Sequence, residues 1–282
     1  MSKIATIGFF DGVHKGHRYL FRQLDAIGAA RGLAPLIVTF AEHPREVLQS
    51  DYLPQLLTTA EERNALLSAF GEVLMLPFAD IRAMTAAQFM DYLHTRHDVS
   101  VLLMGYDHRF GSDRLKKASE YRRIGEKAGI EVLTVGEYME DEWHVSSTEI
   151  RAALENGNIA LANELLGRPY TLRGTVVHGK GLGHTIGFPT ANIAPNNAQK
   201  IIPKAGVYVV SVRSTAFTWT PAMLNIGPEG IETYIPSFSG DIYGEQMDVR
   251  FLRYVREEKR FENLEELREQ IKEDVDSSLR PA

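Results

Sequence analysis

At 282 residues the chain exceeds the usual size of one domain, so two domains are expected. Hydrophobic residues make up 44% and charged residues 24%, the balance of a globular protein, and no apolar run reaches membrane-spanning length. Cysteine is absent and the net charge is −6, which excludes disulfide and thiolate chemistry and disfavours a general nucleic-acid binder.

The first residues run directly into an apolar strand, leaving no room for a signal peptide, so a cytoplasmic protein is expected. Residues 7–17 read IGFFDGVHKGH. An apolar run (Ile4, Ala5, Ile7, Phe9, Phe10) ends at Asp11-Gly12, His14 and His17 bracket Gly16, and Leu20, Phe21, Leu24 and Ile27 recur at helical spacing. That is strand, glycine turn, helix. The first N–H groups of such a helix have no internal partners and carry the positive end of its dipole, which makes the turn an anion site. One histidine there is ordinarily a cap; two bracketing a glycine favour a phosphate ligand.

Residues 35–40 (PLIVTF) form a short, β-branched, buried strand that ends at a turn carrying His43. Thr59 with Glu62, and Thr85 with Gln88, have capping-box spacing and each opens a helix. Strands follow at 73–76 and 99–104, the latter ending in Gly105-Tyr106-Asp107-His108-Arg109-Phe110-Gly111. A helix over 116–128 and a strand over 131–135 complete the alternation, which predicts a parallel sheet with helices on both faces. The turns after the first, second and fourth strands carry His14 and His17, His43, and Asp107 and Arg109, and such turns converge on the ligand-binding edge. Ser146 and Glu149 again have capping-box spacing, so a helix starts beside Ser147, Thr148 and Arg151.

Gly167-Arg168-Pro169 breaks the helical pattern and sets the expected boundary, giving domains 1–167 and 168–282. Strands at 170–178, 206–212, 222–226, 231–235 and 247–252, separated by glycine-rich turns, predict an antiparallel barrel. Asn263 caps a final amphipathic helix with Leu264, Leu267 and Ile271 on its stripe. Within Gly187-Phe188-Pro189-Thr190-Ala191-Asn192, Thr190 and Asn192 offer oxygens two residues apart that point the same way in an extended segment. Hard oxygen donors suit Mg²⁺, although the same residues also make ordinary turns.

The stretch from Gly8 to His17 resembles the signature of the nucleotidyltransferase superfamily, in the form found in its flavin-adenylylating branch; Ser146-Ser147-Thr148-x-Ile150-Arg151 is similar to that branch's second signature. Gly187-Phe188-Pro189-Thr190-Ala191-Asn192 resembles the hallmark of riboflavin kinases, with Gly174-x-Val176-x-His178-Gly179, Asn225-Ile226-Gly227 and Asp241-Ile242-Tyr243-Gly244 in matching order. The resemblance implies a Rossmann-like nucleotidyltransferase domain followed by a riboflavin-kinase-like barrel. It implies phosphorylation of riboflavin to flavin mononucleotide (FMN) and adenylylation of FMN to flavin adenine dinucleotide (FAD). ATP, riboflavin and FMN are then the partners, Mg²⁺ the ion held at Thr190 and Asn192, and no nucleic acid, membrane or obligate protein partner is expected.

On that reading His14 and His17 are expected at the α-phosphate, helped by the helix start, Arg151 with Ser147 and Thr148 on the departing pyrophosphate, and Asp107 and Arg109 at the adenosine or in shaping the loop. Gly8, Phe9, Asp11, Gly12, Gly16, His43, Gly187 and Pro189 join the nucleotide-binding set, and Glu232 falls where the kinases have their catalytic base, with Glu229 a lesser alternative. The segment between Asn225-Ile226-Gly227 and Glu232 is shorter than in that family, which leaves open a barrel that binds flavin without phosphorylating it.

Overall fold

The computed structural model describes residues 1–49, 51–106, 108–136, 138–140, 143–179 and 182–279, so Asp107 lies outside the described residues. The chain divides into two compact units, Met1–Ser147 and Thr148–Ala282.

The first unit alternates: β1 (Lys3–Ile7), α1 (Lys15–Arg31), β2 (Ala34–Phe40), α2 (Pro44–Leu48), α3 (Ala60–Leu67), β3 (Glu72–Leu76), α4 (Phe78–Ile81), α5 (Ala86–His97), β4 (Val99–Met104), α6 (Ala118–Ala128) and β5 (Glu131–Thr134). A two-stranded ribbon, β6 (Met139–Glu140) and β7 (Trp143–His144), follows. Successive strand residues point to opposite faces, and here both faces are covered. Ala5, Ile7, Leu36, Val38, Leu102 and Met104 pack against Phe89, Met90 and Leu93 of α5 and Tyr121 of α6. Ile4, Ile37, Val101 and Leu103 pack against Leu20, Phe21 and Leu24 of α1 and Leu67 of α3. The strands are therefore continuously apolar, as their sequences read. Two of the three expected capping boxes form as read, at Thr59 with Glu62 and Thr85 with Gln88.

The sheet is parallel with order β3-β2-β1-β4-β5. The chain reverses its direction of winding between β1 and β4, and a crevice opens at the carboxyl ends of strands where that happens. The segments leaving β1 and β4 are therefore neighbours although nearly a hundred residues separate them in sequence.

α7 (Ser147–Glu155) begins at the division between the units, and α8 (Ile159–Leu166) follows. The Asn163 side chain on α8 donates to the Phe251 carbonyl at 2.9 Å and accepts from the Tyr170 N–H at 2.7 Å, fastening the helix to the barrel. The barrel consists of β8 (Tyr170–Val177), β9 (Thr190–Pro195), β10 (Gly206–Arg213), β11 (Thr220–Gly227), β12 (Gly230–Tyr234) and β13 (Gln246–Arg256), with the short α9 (Leu182–Thr185) before β9. It closes in the order β10-β11-β12-β9-β8-β13 with antiparallel neighbours. Leu172, Tyr208, Val210, Leu224, Met247, Val249 and Phe251 are buried by the alternation of these strands. On the other face, Val207, Val209 and Met223 are covered by Val275 and Leu279 of α10 (Leu264–Leu279).

The barrel strand missing from the sequence reading is β9, in which the oxygen-bearing residues 190–192 are paired into the ladder. β13 also runs on to Arg256, four residues beyond its expected end, by pairing with β10 through two register shifts.

Candidate active sites

The first site is built on the turn between β1 and α1. Asp11 is 4% exposed, and its carboxylate accepts hydrogen bonds from the backbone N–H groups of Leu57 and Thr58 and from the Thr58 hydroxyl at 2.9–3.1 Å. Thr58 in turn accepts from the Gly12 N–H at 3.0 Å. Asp11 thus clamps the turn to the segment before α3. The clamp holds costly backbone: Val13, a β-branched residue, sits at φ 43°, and Phe10 at φ 55°. Beneath the turn the fully buried Arg63 guanidinium donates to the Phe40 carbonyl at 2.5 Å and lies 4.1 Å over the Phe9 ring. Burial pulls its pKa down to about 10 while Asp11 opposes the shift, so Arg63 remains a buried cation at neutral pH. Nothing in the sequence marked Arg63, because an arginine on a capped helix reads as a solvated residue.

His14 is 5% exposed and caps α1, its Nδ1 accepting from the His17 N–H at 3.4 Å. A neutral ring that accepts at Nδ1 carries its proton on Nε2. The two imidazoles stack with centroids 3.6 Å apart and planes at 21°. Gly16 makes this possible, since a Cβ there would stand 3.2 Å from both the His14 ring and the Val145 carbonyl. The Ser147 hydroxyl donates to the Asp11 carbonyl at 2.9 Å and joins the start of α7 to the same turn.

These groups border a cavity of about 270 Å³ lined by His14, Gly16, His17, Tyr19 and Leu20 from the α1 side, Gly105 and Tyr106 after β4, Val135, Gly136 and Tyr138 after β5, and Val145-Ser146-Ser147. Of the predicted set, the structure brings His14, Gly16, His17 and Ser147 together here. Gly8, Phe9 and Gly12 shape the turn: the Gly8 N–H donates to the Val38 carbonyl, and the Phe9 carbonyl accepts from Thr39 Oγ1. His43 instead caps α2, accepting from the Arg45 N–H at 3.1 Å with its ring edge on Phe9. Arg109 is exposed and borders a separate opening with Arg114 and Lys116. Thr148 and Arg151 follow on α7, the first exposed and the second half-buried. The loop after β5 was missed by the sequence reading because its lining residues are apolar or glycine.

The second site lies on one face of the barrel. Strand pairing sets Asn192 of β9 opposite Glu232 of β12, and Glu232 opposite Asn225 of β11. Thr190 and Tyr234 form the neighbouring pair on the same face. Directly opposed residues stand about 5 Å apart at Cβ, so Asn192, Glu232 and Asn225 make one polar row across three strands. Thr190, Asn225, Glu229, Glu232 and Tyr234 line a cavity of about 300 Å³ whose other wall includes Leu267, Ile271, Asp274 and Val275 of α10. The short segment before Glu232 is a tight connection between paired Gly227 and Gly230, and it leaves Glu232 in register with both neighbours. Gly187, at φ 84°, and Pro189 are exposed on the approach to β9.

The Asn225 side-chain oxygen is buried with no hydrogen-bond partner, so the cavity offers an acceptor to a donor. Among the described residues no three His, Cys, Asp or Glu side chains gather as a metal cage. The Thr190 hydroxyl and Asn192 carbonyl are an oxygen-only pair of the kind a hard divalent ion shares with phosphates and water, so the residues fit Mg²⁺.

Residues 1–149 match the family model described as FAD synthetase, and residues 166–280 match that described as riboflavin kinase. The bifunctional riboflavin kinase/FMN adenylyltransferase of Escherichia coli (strain K12) is 35% identical over 283 residues, covering 96% of this chain and 90% of that protein. The protein of the same description from Bacillus subtilis (strain 168) is 34% identical over 298 residues, with 98% and 92% covered. A crystal structure described as a macrolide-efflux protein from Streptococcus pneumoniae superposes with a TM-score of 0.90 at 31% identity, covering 100% of this chain and 95% of that one. No described helix of the present chain is long and apolar enough to cross a membrane.

Proposed function

The chain belongs to the bifunctional riboflavin kinase/FMN adenylyltransferase family, and we propose that its two sites perform successive steps of flavin cofactor synthesis. The barrel phosphorylates riboflavin with ATP, giving FMN and ADP. The N-terminal unit then transfers the adenylyl group of a second ATP to FMN, giving FAD and pyrophosphate. The observation that carries this reading is the coexistence in one chain of a histidine-capped helix start at a sheet crevice and a Thr-Asn-Glu row on a barrel, in the order of the two family models. The functional domains are taken as 1–167 and 168–282, a division supported by the start of the riboflavin kinase match at residue 166.

In adenylylation the FMN phosphate is itself the nucleophile: its oxygen bonds to the α-phosphorus as the bond to pyrophosphate breaks. The protein has only to align the reactants and stabilise charge. His14 and His17 donate to the transferring phosphoryl group at the positive end of α1. Ser147, Thr148 and Arg151 receive the departing pyrophosphate, an assignment supported by their motif, and Asp107 and Arg109, in the turn after β4, hold the adenosine side or shape that loop. Asp11, with the backbone of Gly8, Phe9 and Gly12, fixes the turn that the phosphates approach, supported by its clamp to Leu57 and Thr58.

In phosphorylation the primary hydroxyl of riboflavin attacks the γ-phosphorus, and Glu232 accepts the proton that the hydroxyl gives up. Thr190 and Asn192 would hold Mg²⁺, which would supply neutralisation of phosphate charge. Gly187 and Pro189 shape the approach of the nucleotide to β9. The apolar side of the cavity, Met223 with Leu267, Ile271 and Val275, suits the flavin ring, supported by its position beside Glu232.

The test separates the two halves. His17→Ala, given riboflavin and ATP, should accumulate FMN, with adenylylation slowed about 10²-fold or more, the scale of losing one transition-state donor. Glu232→Gln should convert added FMN to FAD but leave riboflavin untouched. If either substitution abolishes both steps, or neither, the residue assignments fail.

A further inference from the structure

We propose that Tyr19 and Tyr138 form the aromatic wall that receives the base of ATP in the N-terminal site, and so determine its nucleotide specificity. The proposal rests on reading that cavity as the adenylyl-transfer site. The two rings stack with centroids 5.2 Å apart and planes at 28°, and both line the cavity that holds His14, His17 and Ser147.

Folding alone does not explain the pair. The core stripe of α1 is Leu20, Phe21 and Leu24, and Tyr19 lies beside it, half-buried and outside both apolar clusters of this unit. Tyr138 comes from the segment after β5 and is likewise half-buried. Two large aromatic rings from distant stretches of chain thus meet at a cavity wall. Such a pair is a stacking platform, because every base has a flat π-face and an aromatic side chain holds it at little conformational cost.

The position fits the nucleotide's dimensions. With the α-phosphate at the capped start of α1, the base must lie against another part of the wall of the same cavity, which Tyr19, Tyr138 and Gly136 also line. Gly136 has nothing within 4 Å of where a Cβ would stand, so a flat ring can approach its backbone. At a 5.2 Å centroid spacing the tyrosines leave no room for a base between them; the base packs against the pair from the cavity side. A purine offers two fused rings to that wall and a pyrimidine one, so the wall favours ATP over CTP.

The experiment measures FMN adenylylation with ATP and with CTP in the full chain for Tyr19→Leu, Tyr138→Leu and the corresponding Phe variants. Riboflavin phosphorylation by the same preparations is the internal control. Each Leu variant should raise the KM for ATP in adenylylation about tenfold, the scale of one lost base–aromatic stack, with kcat held within about twofold. The ATP-over-CTP preference should fall in parallel, and the kinase KM for ATP should not move. The Phe variants should behave as wild type. An unchanged ATP KM in both Leu variants overturns the proposal, as does a fall in kcat alone or an equal loss in the Phe variants. Wild-type protein that fails to adenylylate FMN at all overturns the parent reading, and that outcome is seen before any variant is made.

Discussion

The ion pair between Arg256 and Asp274 is the structural test of how the kinase cavity is held closed. The Asp274 carboxylate accepts from Arg256 Nε at 3.1 and 3.2 Å and from an Arg256 terminal nitrogen at 2.7 Å, joining α10 to β13. The two side chains are only 17% and 9% exposed, so water screens the pair poorly. Asp274→Ala leaves the largely covered Arg256 cation, which borders the cavity together with Glu229, Glu232 and Glu258, without its directly paired carboxylate. Removing one partner of a buried pair costs about 3–5 kcal/mol, a large part of the roughly 5–15 kcal/mol that stabilises a domain. α10 covers Val207, Val209 and Met223 and lines the cavity beside Glu232, so its loosening should also raise the KM for riboflavin. Thermal unfolding of the full chain, with riboflavin phosphorylation measured below the transition, reads both effects. The double variant Arg256→Met/Asp274→Leu should recover most of the lost stability, because the buried charge leaves with its partner. A loss below about 1 kcal/mol in Asp274→Ala, the value of an exposed pair, would refute the reasoning.

Three further outcomes are expected. Burial alone would raise the Asp248 carboxyl, but hydrogen bonds from Arg173 at 2.6 Å and Arg213 at 2.6 Å outweigh it and hold the group below its ordinary value. A depressed folded-state pKa stabilises above the unfolded value and is lost as pH falls through the folded one, so acid titration should weaken the barrel through that window. Asp248→Asn should flatten the acid limb of that pH–stability curve, and an unaltered limb would contradict the assignment. Asp11→Ala leaves the buried N–H groups of Leu57 and Thr58 without their acceptor, at a cost of about 1–3 kcal/mol each, read as a lower unfolding midpoint of the N-terminal unit. Thr190→Val should raise the Mg²⁺ concentration for half-maximal riboflavin phosphorylation about tenfold, and an unshifted Mg²⁺ curve would remove Thr190 from the ion site.

Both architectures were legible because each is written in a different hydrophobic period. Continuous runs such as residues 99–104 belong to strands covered on both faces, while Met247, Val249 and Phe251 alternate on a barrel strand. His14 and His17 were legible because their spacing fixes them to one helix start. Arg63 was not, since its burial depends on the Phe9 ring and the carbonyl of Phe40, contacts made only when α3 docks on the sheet. His43 stands out in the sequence because it follows a strand; that it also caps α2, its Nδ1 accepting from the Arg45 N–H, is local geometry that the sequence pattern does not show. The row Asn192, Glu232, Asn225 needed strand register, which no spacing within one strand supplies.

The central claim is that one chain both phosphorylates riboflavin and adenylylates the product. The direct measurement incubates the full chain with riboflavin, ATP and Mg²⁺ and resolves the flavins by chromatography over time. FMN should appear first and then decline as FAD accumulates. Riboflavin that stays unconverted while added FMN becomes FAD would contradict the claim, and would leave the barrel a flavin-holding module despite the register of Glu232.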